Sequence, residues 1–398
     1  MKNIIIAASF VLVSCSQLFS QILTKEDSLN AGLIKSNNAT VVSGYGNVKY
    51  SNNITLGEAN SNVDRLVLFV GHKFKKNLSF FSELEVEDAK VEGGSVGGEF
   101  AIEQAFIKFD INRNNYFSAG LILPRIGITN ENHLPTTFNG NNRPYVEGQV
   151  IPATWREIGV GYYGYSNKIP GLNYSAAILN GLNCEEFESE EGIREGRYEG
   201  RNANSNNLSL TGAILYYKGG VRTQISAYVG GSNTMSQIQS DSLGMNRGIF
   251  GCPVELLEYD LQYKHKGFQL KGLVSYVNIS DASKLNSYYG KDVAQSILGY
   301  YGEVGYNLTW KKEKAHILFV RYENIDMTNR VTSNALYNPA LNYQIVTAGL
   351  SILPHNGVIV KFDYSYRVTG TLDESLVDPL NAYNPVQQSF TIGLGYSF

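Results

Sequence analysis

Apolar and polar residues alternate with a period of two along most of this chain, and this pattern constrains the fold more than any other feature. In the last segment Phe390, Ile392 and Leu394 alternate with serine, threonine and glycine. Successive side chains of a β-strand point to opposite faces of the sheet. In residues 358–368 the charged residues share one parity and the apolar residues the other. The chain is therefore predicted to be all-β, with one apolar and one polar face on each strand.

The pattern repeats often enough to predict about sixteen strands, and the connections between them alternate between short and long. Short periplasmic turns, long outer loops and an even number of strands are typical of outer-membrane β-barrels, which close because lipid cannot satisfy an open sheet edge. Both termini then lie on the short-turn side, in the periplasm. The predicted strands are 41–50, 64–74, 78–88, 101–111, 115–124, 156–166, 172–180, 207–217, 220–230, 255–265, 267–278, 297–309, 314–324, 342–352, 357–368 and 388–398.

A soluble β-sandwich is the alternative fold, because it also alternates apolar and polar residues. It does not predict strands of similar length throughout, regular short and long connections, or a terminal aromatic residue. The sequence therefore favours a transmembrane antiparallel β-barrel over residues 41–398, preceded by a short segment at 21–40.

Residues 1–20 are predicted to be a signal peptide, since Lys2 precedes a continuous apolar stretch at 4–13. Two processing sites compete. Residues 12–15 resemble a lipoprotein box that would lipidate Cys15, whereas Ser20 followed by Gln21 resembles an ordinary cleavage site. The second is favoured, because a barrel is anchored by its strands.

Composition argues against several other functions. The net charge of −3 excludes a strongly basic nucleic-acid binder. The five histidines show no metal-ligand spacing, and the glycine-rich residues 93–98 lack the lysine that a phosphate loop needs. The acidic run at 185–191 does not follow a calcium-loop spacing, so it is interpreted as a solvated loop. We expect neither a cofactor nor an enzymatic activity.

The third long connection, residues 125–155, is too apolar for a loop that extends freely into water. It is predicted to fold into the lumen as a constriction; an external lid over the mouth is the alternative. Arginines in or beside this loop are the best candidates for contact with a permeating anion, because a guanidinium donates two parallel hydrogen bonds. The candidate pore residues are Arg125, Arg143 and Arg156, with Lys108, Arg321, Lys361 and Arg367 on the predicted lumen face. Acidic residues share that face, which favours weak ion selectivity.

Two further pairs of residues are candidates for structural roles. Cys184 and Cys252 fall in long loops and could form a disulfide in an oxidising compartment; two unpaired thiols are the alternative. Tyr396 and Phe398 end the chain with the alternating aromatic pattern that resembles the signal read by the barrel assembly machinery. Phe398 also fits an aromatic residue at the membrane boundary.

Three segments resemble the phosphate-selective porin O/P family, as found in Bacteroidota-type outer-membrane porins. They are RPYVEGQVIPATWREIGVGYYG at 143–164, FFSELEVED at 80–88 and IEQAFIKF at 102–109. The resemblance implies a sixteen-stranded barrel, usually a trimer, whose third loop constricts the lumen. It also implies selection of anions such as phosphate by lysine and arginine, although the sequence has no dense basic run.

The sequence therefore predicts an outer-membrane porin, a passive diffusion channel for small hydrophilic solutes or anions. The alternative is a non-conducting barrel that serves as a subunit or scaffold of an outer-membrane complex, with the loops at 181–206 and around Cys252 as contact surfaces. An outer-membrane hydrolase is a more distant third hypothesis.

Overall fold

The structure is a computed structural model that describes residues 39–88, 98–231, 235–245, 251–370 and 384–398. The predicted signal peptide with Cys15, residues 21–38 of the N-terminal segment and residues 93–97 of the glycine-rich stretch lie outside the described residues. Within the described part of the chain, no helix has the length and apolar character needed to cross a membrane.

Sixteen antiparallel strands form one closed barrel in which each strand pairs with its neighbours in sequence and β16 pairs with β1. The predicted fold class is thereby confirmed. The strands are β1 Ala39–Asn53, β2 Glu58–Lys75, β3 Leu78–Glu87, β4 Phe100–Asp110, β5 Asn115–Ile122, β6 Glu157–Tyr165, β7 Leu172–Asn180, β8 Leu208–Lys218, β9 Val221–Gly230, β10 Val254–His265, β11 Phe268–Ile279, β12 Ser296–Asn307, β13 Ala315–Arg330, β14 Asn342–His355, β15 Val358–Thr369 and β16 Val386–Ser397.

The period of two separates an apolar outer surface from a polar inner wall. On β10, Leu257 and Tyr259 are about half exposed, whereas Glu258 and Asp260 are fully buried. The outer band therefore presents the apolar surface that lipid requires, and the charged residues point into the barrel.

One predicted connection is wrong. Residues 51–63 were expected to form a long loop, but β1 and β2 continue as a hairpin whose turn occupies only residues 54–57. Asparagine, serine and charged residues dominate this extension. Both faces of the hairpin tip are polar, so the apolar alternation that reveals the other strands is absent there.

The C-terminus completes the β1–β16 seam. Phe398 N donates a hydrogen bond to Gly44 O (2.9 Å), and Gly44 N donates to Phe398 O (3.1 Å). Glycine is required nearby, because a Cβ on Gly46 would lie 2.6 Å from the Tyr396 hydroxyl oxygen. The two terminal aromatic residues therefore pack over glycines of the first strand.

Turns of two to seven residues join the strands at one end of the barrel, here called the short-turn end. The longer connections and the four-residue β1–β2 turn lie at the other, the long-loop end. The β5–β6 loop (123–156) contains helix α1, Tyr145–Gln149. The β7–β8 loop (181–207) contains two 3₁₀ turns, Cys184–Glu186 and Arg194–Gly196. Helices α2, Gln237–Ser242, and α3, Ala282–Tyr289, lie in the β9–β10 and β11–β12 loops, and a third 3₁₀ turn, Pro339–Leu341, precedes β14.

Candidate functional site

The β5–β6 loop is hydrogen-bonded to inward-facing side chains of strands on the opposite side of the barrel. Asn141 donates from its backbone nitrogen to Asp363 Oδ2 (2.7 Å), and Asn139 Nδ2 donates to Glu303 Oε1 (2.9 Å). The backbone nitrogen of Val146 donates to Glu323 Oε2 (3.1 Å). These acceptors belong to β15, β12 and β13, so one loop is held by three separate wall strands.

Arg321 of β13 is the centre of this attachment. Its guanidinium lies 3.3 Å from Glu303 and 2.8 Å from Glu323. It also donates to the carbonyl oxygens of Asn139 (3.3 Å) and Asn142 (3.4 Å) in the loop. The side chain is only 1% exposed, so the charge is neutralised by buried carboxylates and not by water.

Within the loop, Glu147 joins α1 to the chain that enters it. Its carboxylate accepts hydrogen bonds from Ile128 N (2.8 Å), the Thr129 hydroxyl (2.9 Å) and the Tyr301 hydroxyl (2.8 Å). A carboxylate with several donors is stable when buried, and Glu147 is not exposed at all. The loop is thus internally cross-linked as well as attached to β12.

Two arginines of the β7–β8 loop cover the second half of the β5–β6 loop. Arg194 Nη1 donates to Gly148 O (2.7 Å), and Arg197 Nη1 donates to Pro152 O (3.1 Å). Gly148 lies in the last turn of α1, whose final carbonyls accept no hydrogen bond within the helix, and Pro152 lies in the irregular backbone that follows. Neither arginine was predicted from the sequence, because an arginine that donates to carbonyls of another loop leaves no local pattern.

A cavity of about 1120 Å³ opens at the short-turn end of the barrel. Residues of the β2–β3 and β4–β5 turns form its mouth, and the β5–β6 loop contributes residues such as Ile128, Thr129 and Phe138. Its lining contains seven cationic and three anionic side chains. The cationic ones are Lys73, Lys76, Lys108, Arg113, Arg125, Arg222 and Lys271, and the anionic ones are Asp110, Glu131 and Glu303.

Several of these charges are paired. Lys108 lies 3.1 Å from Asp110, Arg125 lies 2.8 Å from Glu131, and Arg222 lies 2.6 Å from Asp260. Burial opposes the charge of Arg125, yet Glu131 raises its pKa above the usual value. The cavity therefore combines a cationic excess with a network that fixes most of its cations in place.

The structure brings only two of the seven predicted pore residues into this lining, Lys108 and Arg125. Arg143 is half-buried, and burial together with nearby Arg65 lowers its pKa to about 10. Arg156 pairs with Glu199 of the β7–β8 loop (2.9 Å).

The three remaining predicted residues hold other parts of the interior. Arg321 anchors the β5–β6 loop, as described above. Lys361 lies 3.7 Å from the ring centre of Phe138 in that loop, and Arg367 lies 4.1 Å from the ring centre of Tyr343. These cations contact side chains or carbonyls of a loop or of the barrel wall. Strand parity alone cannot distinguish this role from lining the pathway of a permeating solute.

The long-loop end is filled by an apolar cluster. The β5–β6, β7–β8, β9–β10 and β11–β12 loops all contribute to it, together with the inner faces of β9 to β14. The ring centres of Trp155 and Tyr228 lie 4.6 Å apart with a tilt of 49° between the ring planes, and both side chains are fully buried. The members include Ile126, Val146, Val150, Ile151, Leu182, Phe187, Ile193, Met235, Leu256, Val277, Leu285 and Ile325.

Cys184 and Cys252 lie within the same cluster and are free thiols in the structure. The two sulfurs are in hydrogen-bonding contact, and this contact, together with burial, raises the pKa of Cys252. The contact brings the β7–β8 and β9–β10 loops together at residues that are 68 positions apart in sequence.

Known proteins resemble the chain in sequence or in fold. No protein-family model matches it. A protein of Aquifex aeolicus (strain VF5) with the description "Uncharacterized protein" is 32% identical over 338 residues, which are 81% of this chain and 74% of that protein.

Three solved structures share the barrel. The anion-selective porin from Comamonas acidovorans is 12% identical, with a TM-score of 0.56 over 91% of this chain and 100% of that chain. The Salmonella typhi OmpF complex with daunomycin is 14% identical, with a TM-score of 0.56 over 91% and 98%. A loop L8 deletion mutant of OmpT, an outer membrane protein of Vibrio cholerae, is 9% identical, with a TM-score of 0.54 over 91% and 100%. At these identities the likeness shows the fold.

Proposed function

The chain belongs to the same protein family as the Aquifex aeolicus relative, and we propose that it is an outer-membrane porin for small hydrophilic solutes. The observation that carries the proposal is a solute-sized cavity, about 1120 Å³ and lined by ten charged side chains, inside a closed barrel whose outer face is apolar. The shared barrel of the outer-membrane porins supports the same location. The short turns then lie in the periplasm, and Tyr396 and Phe398 form the signal for barrel assembly.

The β5–β6 loop is the constriction in this proposal. Its bonds to Asp363, Glu303 and Glu323 support a position across the barrel interior, because these three side chains belong to the inner wall. A loop held by buried hydrogen bonds on several strands narrows the lumen permanently. Solutes therefore pass beside the loop without a chemical step.

Anions are the preferred solutes, because cations outnumber anionic groups in the cavity lining. Arg125 has the central role: its side chain lines the cavity and is held there by the ion pair with Glu131, which also lines the cavity. Phosphate and carboxylates match the fork of donors on such a side chain. The narrower assignment to the phosphate-selective porin O/P family, with its trimeric assembly, depends on the segments at 80–88, 102–109 and 143–164.

Planar-bilayer recording tests this proposal. Purified wild-type protein should give stepwise conductance, and a KCl gradient should give a reversal potential of anion-preferring sign. Arg125→Gln should move that potential towards cation preference, and Glu131→Gln should move it the opposite way. Lys168→Ala is the matched control, since Lys168 is exposed in the β6–β7 turn outside the cavity lining. Folded protein that never conducts would exclude the porin.

A second candidate function is a non-conducting subunit or scaffold of an outer-membrane complex. The apolar cluster favours it, because four loops and six strands are packed together at the long-loop end. Co-purification of a stoichiometric partner from membranes, together with silent bilayers, would support this alternative over the channel.

A further inference from the structure

A group of buried polar side chains lies where the β5–β6 loop meets strands β1, β3 and β4, outside the cavity lining. Tyr45, Glu83, Glu103 and His133 are each no more than 2% exposed. One nitrogen of His133 and one oxygen from each glutamate lie within 4.8 Å of one another. Conduction requires none of these groups, so their burial calls for a separate explanation.

The imidazole of His133 is oriented by the backbone. Its Nδ1 lies 3.1 Å from the carbonyl oxygen of Asn130, which can only accept a hydrogen bond. Nδ1 therefore carries a proton, and in the neutral ring the lone pair is on Nε2. Metal-ligating histidines show the same arrangement, with one nitrogen donating to a carbonyl and the other facing the ion.

The groups around Nε2 contain more acceptors than protons. Nε2 lies 2.8 Å from the Tyr45 hydroxyl and 3.1 Å from Glu103 Oε1, while that hydroxyl also lies 3.1 Å from Glu103 Oε2. The Tyr45 hydroxyl has a single proton for two acceptors. Glu103 Oε1 accepts no hydrogen bond from any described residue. A positive centre between Nε2 and Oε1 would satisfy both.

The charged side chains around this group also favour a bound cation. Glu83, Glu85 and Glu103 bring three carboxylates into one buried region, and Arg65 and Arg143 bring two guanidiniums. Three carboxylates removed from water together are unfavourable in their ionised form, so a bound cation would stabilise the region.

We propose that Glu83, Glu103 and His133 bind a divalent transition-metal ion that joins the β5–β6 loop to the barrel wall. One imidazole and two carboxylates form a donor set of the kind that Zn²⁺ accepts. Tetrahedral bonds of about 2.0–2.2 Å place neighbouring donors roughly 3.3 Å apart, close to the observed 3.1 Å between His133 and Glu103. The Tyr45 hydroxyl is positioned as a fourth ligand. This site is independent of the proposed porin function.

Refolding of the full-length protein with Zn²⁺ or with a chelator tests the site. After extensive dialysis, the Zn²⁺-refolded wild type should retain equimolar zinc by elemental analysis, and its Tm should exceed that of the chelator-refolded sample. His133→Gln and Glu103→Gln should lose the zinc and the Tm difference. Exposed His355→Gln and Glu313→Gln are matched controls that should keep both.

A proton on His133 is the competing explanation for the same geometry. In that case wild-type protein would hold no more zinc than His133→Gln, and Zn²⁺ would not change its Tm. Either result would overturn the metal site. Since wild type is compared in two refolding conditions, the test remains decisive even if one variant fails to fold.

Discussion

The two ends of the barrel interior differ in the side chains that line them. At the short-turn end, a cavity of about 1120 Å³ is lined by seven cationic and three anionic side chains together with apolar groups. At the long-loop end, aliphatic and aromatic side chains from four loops pack against the inner faces of β9 to β14. The β5–β6 loop contributes to both regions. Arg125 and Glu131 line the cavity, whereas Val150, Ile151 and Trp155 belong to the cluster.

Because the two ends differ in this way, substitutions at each end are expected to affect different properties, either stability or permeation. Apolar burial stabilises in proportion to the area removed from water, so the long-loop end should carry most of the interior's contribution to stability. The cavity, in contrast, supplies the charged side chains and the open volume on which ion preference is expected to depend. Substitutions at the two ends should therefore separate into effects on unfolding and effects on ion preference.

The largest expected effect is that of Trp155→Ala in the apolar cluster. Loss of a fully buried tryptophan should cost about 3–5 kcal/mol, because the cavity left beside Tyr228 is not refilled. Denaturant unfolding in detergent measures it. Trp310→Ala is the control, since Trp310 is 40% exposed in the β12–β13 turn. Equal losses for both variants would contradict a stabilising cluster.

Oxidation of the two cysteines should have the next largest effect. Cys184 and Cys252 are expected to form a disulfide in an oxidising compartment, because their side chains are already in contact. A bridge that closes a long segment contributes about 2–4 kcal/mol, which reductant or Cys184→Ser should remove. Maleimide labelling of unfolded protein should require prior reduction. Labelling of both thiols without reductant would refute the bridge.

Arg194→Ala should destabilise the packing of the two loops by about 1.5 kcal/mol, because a charged donor is lost from a half-buried carbonyl. The increase in protease sensitivity should be greatest in the β5–β6 loop. Arg201→Ala in the same β7–β8 loop is the matched control, since that side chain is exposed. Unchanged cleavage in Arg194→Ala would show that the arginine does not hold the loop.

The smallest effect on stability is expected for Lys73→Ala in the cavity. Its side chain is buried but has no hydrogen bond or ion pair with the described residues, so the free energy of unfolding should change by no more than about 1 kcal/mol. Anion preference in bilayers should nevertheless decrease. A large loss of stability without a change in the reversal potential would reverse the proposed division between the two ends.

Strand parity predicted the barrel because it is a local property. Arg321 and Lys361 were assigned to the inner face from their neighbours alone, and both are buried there. The β1–β2 hairpin was mispredicted, because a strand with two polar faces carries no alternation. Element positions therefore follow from the sequence wherever one face contacts lipid.

The partners of those inner residues were not predictable in the same way. Arg321 binds the β5–β6 loop nearly 180 residues away in sequence, and Arg156 binds Glu199 of another loop. His133 meets Glu103 and Tyr45 only after the loop is placed against β1 and β4. No metal spacing is visible in the chain, because these residues come from separate segments.

The number of strands, the closure of the barrel and the inward-facing side chains could be predicted from the sequence, since a period of two is set by neighbouring residues. Which inward charges line a cavity and which hold a loop could be seen only in the folded structure. That choice depends on where the long loops pack, and their packing is fixed by contacts between residues far apart in the chain.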